Sequence, residues 1–209
     1  MSSLSSATLA LLTSLSSFSS VPGPAPNTEL PFVETGDVIT IATANPEVPP
    51  LPCGITVLSG KRAVTAGHCG AKGAAVSKEG IEIGVISDNL LTSGKGYDIA
   101  VIEIAEGVTT LTAEVSYDFL PEVADRVLQV GGVSKSTTGK VIDPVLRNRD
   151  VPLYDGGTYP ATVWTAKLEG EPGDSGAPVY MDGVVIGIVE GGNLEKKTIV
   201  SPIPADLKS

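Results

Sequence analysis

The chain contains a single histidine, His68, and the chemistry open to it depends on which hydroxyl group the imidazole can reach. A serine hydroxyl is a poor nucleophile at neutral pH and needs a neighbouring base to take its proton. The candidate serine is Ser175, in the Gly-Asp-Ser-Gly run from Gly173 to Gly176. The glycines allow a turn tight enough to aim the N–H groups of Gly173 and Ser175 at one point, where an oxyanion could be held. These residues predict acyl transfer, with Ser175 as the nucleophile and His68 as the base.

A third candidate is Asp98, at the entrance of the apolar run Asp98–Ile104, which is typical of a buried strand. Its carboxylate could accept the second ring N–H of His68, fix the tautomer and stabilise the imidazolium formed during reaction. An ordinary turn aspartate at the start of a strand is the alternative for this residue alone. The order His68, Asp98, Ser175 excludes the α/β-hydrolases, in which the serine comes first and the histidine last.

Two segments together resemble a known family: Thr-Ala-Gly-His-Cys at Thr65–Cys69 and Glu-Pro-Gly-Asp-Ser-Gly-Ala-Pro at Glu171–Pro178. With a Tyr-Asp-Ile-Ala strand between them, they resemble the chymotrypsin/trypsin-like serine proteases, and most closely the small bacterial streptogrisin-type members. The resemblance implies two six-stranded antiparallel β-barrels with the active site in the cleft between them. His68 and Asp98 would come from the first barrel and Ser175 from the second. It also implies a serine endopeptidase that works through an acyl-enzyme and needs no metal or cofactor.

The rest of the chain must supply strands to position these groups. From Gly36 onward, short apolar or alternating runs are separated by Gly, Pro, Asn and Asp, and no long run has helical periodicity. This pattern favours an all-β fold. We therefore expect a peptidase domain over residues 36–209, with the first barrel at about 36–115 and the second at about 120–205. The weakly patterned stretch 109–124 would connect them, and a short helical turn is expected near 204–208.

Residues 1–35 are rich in Ser and Pro and differ in composition from the rest. The apolar run Ala7–Leu15, followed by small residues, resembles the apolar and cleavage regions of a signal peptide, although no Lys or Arg precedes Lys61. The run is too short to span a bilayer. We expect this segment to be removed or disordered and the protein to be secreted or associated with the cell envelope. A start lying further upstream and a disordered Ser-rich tail are the alternatives.

The composition of the 209-residue chain limits its partners and its cysteine chemistry. A net charge of −10 argues against nucleic acid or an anionic membrane as a partner. The resemblance implies a polypeptide substrate, and we expect the protein to be a monomer. A bridge between Cys53 and Cys69 would contribute about 3 kcal/mol and would imply an oxidising compartment. Two reduced, buried thiols are the alternative. The resemblance implies the disulfide beside His68, and two Cys with one His are too few for a zinc site.

Substrate-binding residues are expected from the resemblance on two segments. The run 187–192 resembles the strand that pairs with the substrate backbone and walls the primary specificity pocket. The run 169–171 falls where the base and entrance of that pocket should be, so its carboxylates predict a basic residue before the scissile bond. Charges facing solvent are the alternative. The candidate residues are Glu169, Glu171, Glu190, Gly191 and Gly192.

Glu190 is a departure from the family pattern, in which this position is usually a serine close to the catalytic aspartate. A second carboxylate near Asp98 could raise the pKa of one of the two groups or disturb the hydrogen bond to His68. This departure motivates a second hypothesis, namely a catalytically weak or inactive homologue that binds proteins through the same cleft. Esterase or acyl-transfer activity on non-peptide esters is a third hypothesis.

Asp174, immediately before the candidate nucleophile, needs a partner that the sequence does not identify. In animal members a newly cut amino terminus pairs with this aspartate, but the chain has no Ile-Val-Gly-Gly start. The arginine that does so in streptogrisins is replaced near Val133 or Ser134. Arg126 is one candidate for the missing cation.

Overall fold

The computed structural model describes residues 31–45, 47–153, 156–192 and 197–208, and the signal-like segment falls almost entirely outside these ranges. Within them the fold consists of strands and two 3-10 turns, η1 (Gly67–Cys69) and η2 (Ala205–Leu207). The all-β prediction is confirmed, and none of the described residues forms a helix that is long and apolar enough to cross a membrane. The strands are β1 (Phe32–Glu34), β2 (Val38–Ile41), β3 (Leu51–Gly54), β4 (Thr56–Ser59), β5 (Arg62–Thr65), β6 (Ala75–Lys78), β7 (Ile81–Asn89), β8 (Ala100–Ile104), β9 (Thr109–Leu111), β10 (Arg126–Val130), β11 (Ser136–Pro152), β12 (Thr158–Lys167), β13 (Pro178–Met181), β14 (Val184–Gly192) and β15 (Thr198–Ser201).

The first half is a seven-stranded antiparallel sheet in the order β3-β2-β6-β7-β8-β5-β4. Its two edge strands, β3 and β4, are separated along the chain only by Ile55, so the sheet curls until its edges meet in one continuous run. The first half has seven strands where six were expected, because Ile55 divides this run into β3 and β4. The N–H of Ile55 donates to the Asp37 carbonyl at 3.1 Å, and the N–H of Gly54 donates to the Ser175 carbonyl at 2.7 Å. Ile55 thus stays bonded to the segment that precedes β2, whereas the N–H of Gly54 is bonded to the second half of the molecule.

The second half is a closed barrel of six antiparallel strands in the order β10-β11-β12-β15-β14-β13, as expected. Its longest strands, β11 and β12, form a hairpin that is interrupted by register shifts around Asp143. The hairpin reaches the first half, where the N–H of Thr162 donates to the Gly96 carbonyl at 2.7 Å. Leu91 of the first half is buried together with Val151 and Val163 of the hairpin. The hairpin therefore closes over the segment that precedes Asp98.

Apolar packing fixes the two halves together. Each half has its own core, and the core of the barrel is built around the fully buried Trp164. A third cluster joins them, in which Val64 and Ile99 of the first half pack with Val185 and Ile188 of β14. Ile99 directly follows Asp98, and Val64 lies on β5, which leads to the turn that carries His68, so this cluster packs those segments against the second half. Leu207 in the turn η2 completes the cluster, at the place where a short helical turn was expected.

The Cys53–Cys69 disulfide is present, which confirms this prediction. It connects the edge strand β3 to the turn η1, and both cysteines are buried. The bridge therefore holds the backbone on which His68 is placed.

Removing the bridge by the double substitution Cys53→Ser and Cys69→Ser is expected to lower the free energy of unfolding by about 3 kcal/mol, since the short closed loop no longer restricts the unfolded chain. Urea denaturation followed by tryptophan fluorescence would measure the change. Reduced wild-type protein is the matched control and should unfold at the same urea concentration as the double variant. An unchanged midpoint would show that the bridge adds nothing to stability.

Candidate active site

His68 lies in the turn η1, which is built from small residues and directly follows β5. A Cβ atom on the preceding Gly67 would lie 2.9 Å from Asp98 Oδ1 and 2.9 Å from Leu91 Cβ, so this position requires glycine. The side-chain amide of Asn89 donates to the carbonyls of Gly67 and Gly70 at 2.8 Å each. The Asn89 amide therefore holds both ends of the turn and fixes the backbone that carries the imidazole.

Asp98 is fully buried just before β8 and contacts His68 through both carboxylate oxygens. Oδ1 accepts the backbone N–H of His68 at 2.8 Å, and Oδ2 lies 2.6 Å from the ring Nδ1. A carboxylate is an acceptor only, so Nδ1 carries the proton and Nε2 is left as the acceptor. The contact thus fixes both the orientation and the tautomer of the imidazole.

The hydroxyl group of Ser175 lies at the other end of the same imidazole. Its Oγ is 2.9 Å from His68 Nε2 and 3.1 Å from the carbonyl oxygen of Glu190. The structure thereby brings together the three residues that sequence analysis selected, although 107 positions separate His68 from Ser175. The result is a continuous path for a proton from the hydroxyl to the imidazole, with Asp98 behind it.

The turn that carries Ser175 requires both of its glycines. Gly173 has φ +102°, and a Cβ atom there would lie 2.5 Å from Val133 Cγ2. Gly176 has φ +90°, and its Cβ would lie 2.3 Å from Thr65 Oγ1. Both angles are in the left-handed region that favours glycine. The N–H groups of Gly173 and Ser175, the candidates for binding an oxyanion, therefore belong to one tightly constrained turn.

Asp174 finds its partner in Ser134, on the loop between β10 and β11. The buried carboxylate accepts the N–H of Ser134 at 2.8 Å, the hydroxyl of Ser134 at 2.5 Å and the N–H of Glu171 at 2.8 Å. The suggestion of Arg126 is wrong, because Arg126 is exposed at the start of β10, opposite Lys140. Three hydrogen-bond donors replace the cation, which is one accepted way to hold a buried carboxylate.

Glu190 is buried, with 6% of its surface exposed, close enough to the other acidic and basic groups of the site to interact with them. Burial, followed by the charge of Asp98, raises its pKa to about 8, against the opposing influence of His68 and Arg149. Burial also acts on His68, where it favours the neutral ring. The hydrogen bond and charge of Asp98, with the charge of Glu190, outweigh burial there and raise the pKa of His68.

The other candidate substrate-binding residues lie at the surface. Glu169 and Glu171 are exposed on the loop between β12 and β13, Gly191 is half-buried, and Gly192 is exposed at the end of β14. A Cβ atom on Gly192 would lie 3.6 Å from the Gly170 carbonyl, so these two segments face each other closely. The structure does not place the three glutamates in a common environment, because Glu190 alone is buried.

A cavity of about 340 Å³ opens beside His68. It is lined by residues 42–45, by the turn η1 and by Leu153, which follows β11, and its walls are mostly apolar. Among the described residues no cluster of His, Cys, Asp and Glu could hold a metal ion. The site therefore combines a proton path with an apolar recess beside His68. Lining residues of the recess include Val48, Leu51 and Leu153.

Comparison with known proteins gives a consistent result. Residues 42–204 match the model of the family described as Trypsin. No curated protein sequence matches the chain. Among solved structures, Cellulomonas bogoriensis chymotrypsin is similar, with 23% identity, a TM-score of 0.60 and coverage of 84% of this chain and 92% of that one. Nocardiopsis protease is 20% identical, with a TM-score of 0.61 and coverage of 84% and 94%. A glutamic-acid-specific serine protease that utilizes a histidine triad in substrate binding is 21% identical, with a TM-score of 0.58 and coverage of 81% and 92%.

Proposed function

The chain belongs to the trypsin family of serine proteases, and on that premise we propose that it cleaves peptide bonds through an acyl-enzyme formed on Ser175. The observation that carries the proposal is the distance of 2.9 Å between His68 Nε2 and Ser175 Oγ, with Nδ1 of the same ring held by Asp98. A base within hydrogen-bond distance of the hydroxyl, itself oriented by a carboxylate, is what activation of a serine requires.

The proposed reaction proceeds in two halves. Ser175 Oγ forms a bond to the carbonyl carbon of the substrate while its proton moves to His68 Nε2. Asp98 stabilises the imidazolium, and the N–H groups of Gly173 and Ser175 hold the oxyanion. His68 then donates the proton to the departing amine as the carbon–nitrogen bond breaks. Water repeats the same steps on the acyl-enzyme and releases the carboxylic acid.

The substrate is proposed to be a polypeptide whose main chain lies along Gly191 and Gly192 at the end of β14. The exposed carboxylates of Glu169 and Glu171 support a preference for a basic residue before the scissile bond. One structural neighbour is a glutamic-acid-specific protease that uses a histidine triad in substrate binding. This chain cannot bind a substrate through three histidines, because its single histidine is His68, which contacts Asp98 and Ser175. Cleavage of paired peptides that differ only in Arg or Leu at that position would test the preference.

The cellular setting and the domain limits are part of the proposal. The disulfide supports an oxidising location, so we propose a secreted or cell-envelope protein from which the segment before β1 is removed. The expected domain limit at residue 36 is corrected, because β1 (Phe32–Glu34) pairs with β9 and Val33 is fully buried in the core of the first half. We therefore propose that the peptidase domain begins at β1 rather than at residue 36, and that residues 1–35 are not removed as a whole. The division into a first barrel at about 36–115 and a second at about 120–205 is supported by the strands of the two sheets.

A fluorophosphonate probe tests the proposed nucleophile directly. We expect the folded protein to form a covalent adduct on Ser175, detected by mass spectrometry of the intact protein and of its peptides, since only an activated serine reacts readily. Protein unfolded in urea is the control and should remain unlabelled.

Absence of labelling in folded protein would favour the second candidate, a protein-binding homologue without activity. The observation that supports this candidate is the buried Glu190 beside Asp98. Esterase activity without peptidase activity, measured on matched ester and amide substrates, would instead favour the third hypothesis.

A further inference from the structure

The loop between β10 and β11 contacts the turn of the proposed nucleophile through three consecutive residues. A Cβ atom on Gly132 would lie 2.6 Å from Asp174 Oδ1, and a Cβ atom on Gly173 would lie 2.5 Å from Val133 Cγ2. The third residue, Ser134, donates two hydrogen bonds to the Asp174 carboxylate. The loop and the turn are therefore in close contact at the position immediately before the nucleophile.

The same loop is held on its other side by the segment that precedes β2. The N–H of Gly132 donates to the Gly36 carbonyl at 2.9 Å, and a Cβ atom on Gly131 would overlap that carbonyl oxygen. Gly36 is itself fixed, because its N–H donates to the Ile55 carbonyl at 2.8 Å. The first half of the molecule therefore fixes the loop on one side, and the loop can act as a support for the turn on the other.

Asp174 is fully buried, and both of its carboxylate oxygens accept hydrogen bonds. Oδ1 accepts the N–H of Ser134 at 2.8 Å, and Oδ2 accepts the Ser134 hydroxyl at 2.5 Å and the N–H of Glu171 at 2.8 Å. Two of these three donors are backbone groups. Within the described part of the chain no cation pairs with Asp174, so the Ser134 hydroxyl is its one side-chain donor there. A carboxylate taken out of water depends strongly on such bonds.

We propose that Ser134 is a positioning residue for the reaction, and that its hydroxyl keeps Asp174 in the buried position in which the N–H groups of Gly173 and Ser175 face the oxyanion. Asp174 lies between these two residues in the chain, so a movement of its carboxylate towards water would displace the backbone that carries both N–H groups. The Ser134 hydroxyl acts only through Asp174. The inference rests on the proposed function and names a further residue on which that function depends.

Ser134→Ala is expected to lower kcat for a peptide amide by about 10- to 100-fold with little change in KM. The lost bond is one to a charged group, and the oxyanion is present only in the transition state and the tetrahedral intermediate. A peptide boronic acid, which forms a tetrahedral adduct with a reactive serine, should bind more weakly by a similar factor. Ser136→Ala is the matched control, since Ser136 is exposed at the start of β11, and it should keep the wild-type values.

The conservative pair Ser134→Thr and Ser134→Val separates the hydroxyl group from the shape of the side chain. Both side chains are β-branched and similar in size, but only threonine can donate to Asp174. We expect Ser134→Thr to keep most of the wild-type kcat and Ser134→Val to lose as much as Ser134→Ala. Should Ser134→Ala fail to fold, this pair gives the same test, because valine fills the space that alanine leaves empty. Equal kcat in the two variants would overturn the proposal.

Amide hydrogen exchange provides a readout that needs no activity. The N–H of Asp174 donates to the Glu171 carbonyl at 3.0 Å, and the N–H of Ala177 donates to the Asp174 carbonyl at 2.8 Å. In Ser134→Ala both amides should exchange about tenfold faster or more, because the turn opens more often. The amides of β12 should exchange at the wild-type rate. A general loss of stability would instead accelerate the exchange of both sets of amides together, and would contradict a local role of Ser134.

The proposed function and the role of Ser134 fail separately in these experiments. Faster exchange in the turn of Ser134→Ala, without fluorophosphonate labelling of the wild type, removes the protease assignment and leaves Ser134 as the residue that holds the turn. Labelling of the wild type, with an unchanged kcat in folded Ser134→Ala, keeps the protease and overturns the positioning role.

Discussion

Replacing Ser175 with alanine is expected to lower kcat by about 10⁵–10⁶-fold, the largest effect of any single change in this protein. Without the hydroxyl no acyl-enzyme forms, and the remaining rate comes only from binding and from the N–H groups that hold the oxyanion. Because the hydroxyl is small and makes its contacts to His68 and to the Glu190 carbonyl, the fold should remain intact. Single-turnover and steady-state hydrolysis of a peptide amide would measure the loss.

Ser136→Ala is the control for this variant, as Ser136 is exposed at the start of β11. It should keep wild-type rates. Retention of more than about a hundredth of the activity by Ser175→Ala would contradict nucleophilic catalysis by this residue, since loss of a serine nucleophile removes almost all of kcat.

Asp98→Asn is expected to lower kcat by about 10⁴-fold with little change in KM. The side-chain amide can still accept the backbone N–H of His68, which Oδ1 accepts at 2.8 Å. If its NH₂ group faces Nδ1, however, it donates where the carboxylate accepted, so the ring must place its proton on Nε2. Nε2 then no longer accepts the proton of Ser175. Steady-state kinetics on a peptide amide, together with the circular dichroism of the folded variant, would separate this effect from misfolding.

Asp182→Asn is the matched control, because Asp182 is exposed in the turn between β13 and β14 and has φ +50°, which asparagine tolerates. This variant makes the same chemical change away from His68 and should have the kcat and KM of the wild type. An Asp98→Asn variant as active as Asp182→Asn would mean that the imidazole is oriented by other groups.

The sequence was informative wherever the chemistry depends on local spacing. His68 and Ser175 lie in short runs of small residues, and those runs have to be small because Gly67 and Gly176 approach other backbone segments too closely for a side chain. Asp98 could be located from the apolar run that follows it. The disulfide was one of two alternatives from composition, and the structure decides between them in favour of the bridge.

The features that sequence analysis missed depend on contacts between distant segments. Ser134 serves Asp174 across 40 positions, and no local pattern marks a serine as a substitute for a cation. The only hint in the sequence was the adjacent pair Gly131-Gly132, since glycine is typical of places where a backbone passes close to another group. In the structure a Cβ atom on Gly132 would lie 2.6 Å from Asp174 Oδ1. The strand β11 escaped notice for another reason. Its residues 145–150 are all exposed, so this stretch lacks the alternation of apolar and polar residues by which strands are recognised.

Through the hydrogen bond from the Gly54 N–H to the Ser175 carbonyl, both halves of the molecule hold the reactive serine in place. Ser175 belongs to the second barrel, but its backbone carbonyl is bound by Gly54 at the end of the edge strand β3 of the first barrel. The disulfide from Cys53 to Cys69 fixes that end of β3. Neither barrel on its own carries a finished nucleophile. Competence to react is thus a property of their junction, and it arises only in a chain whose two halves have both folded and docked.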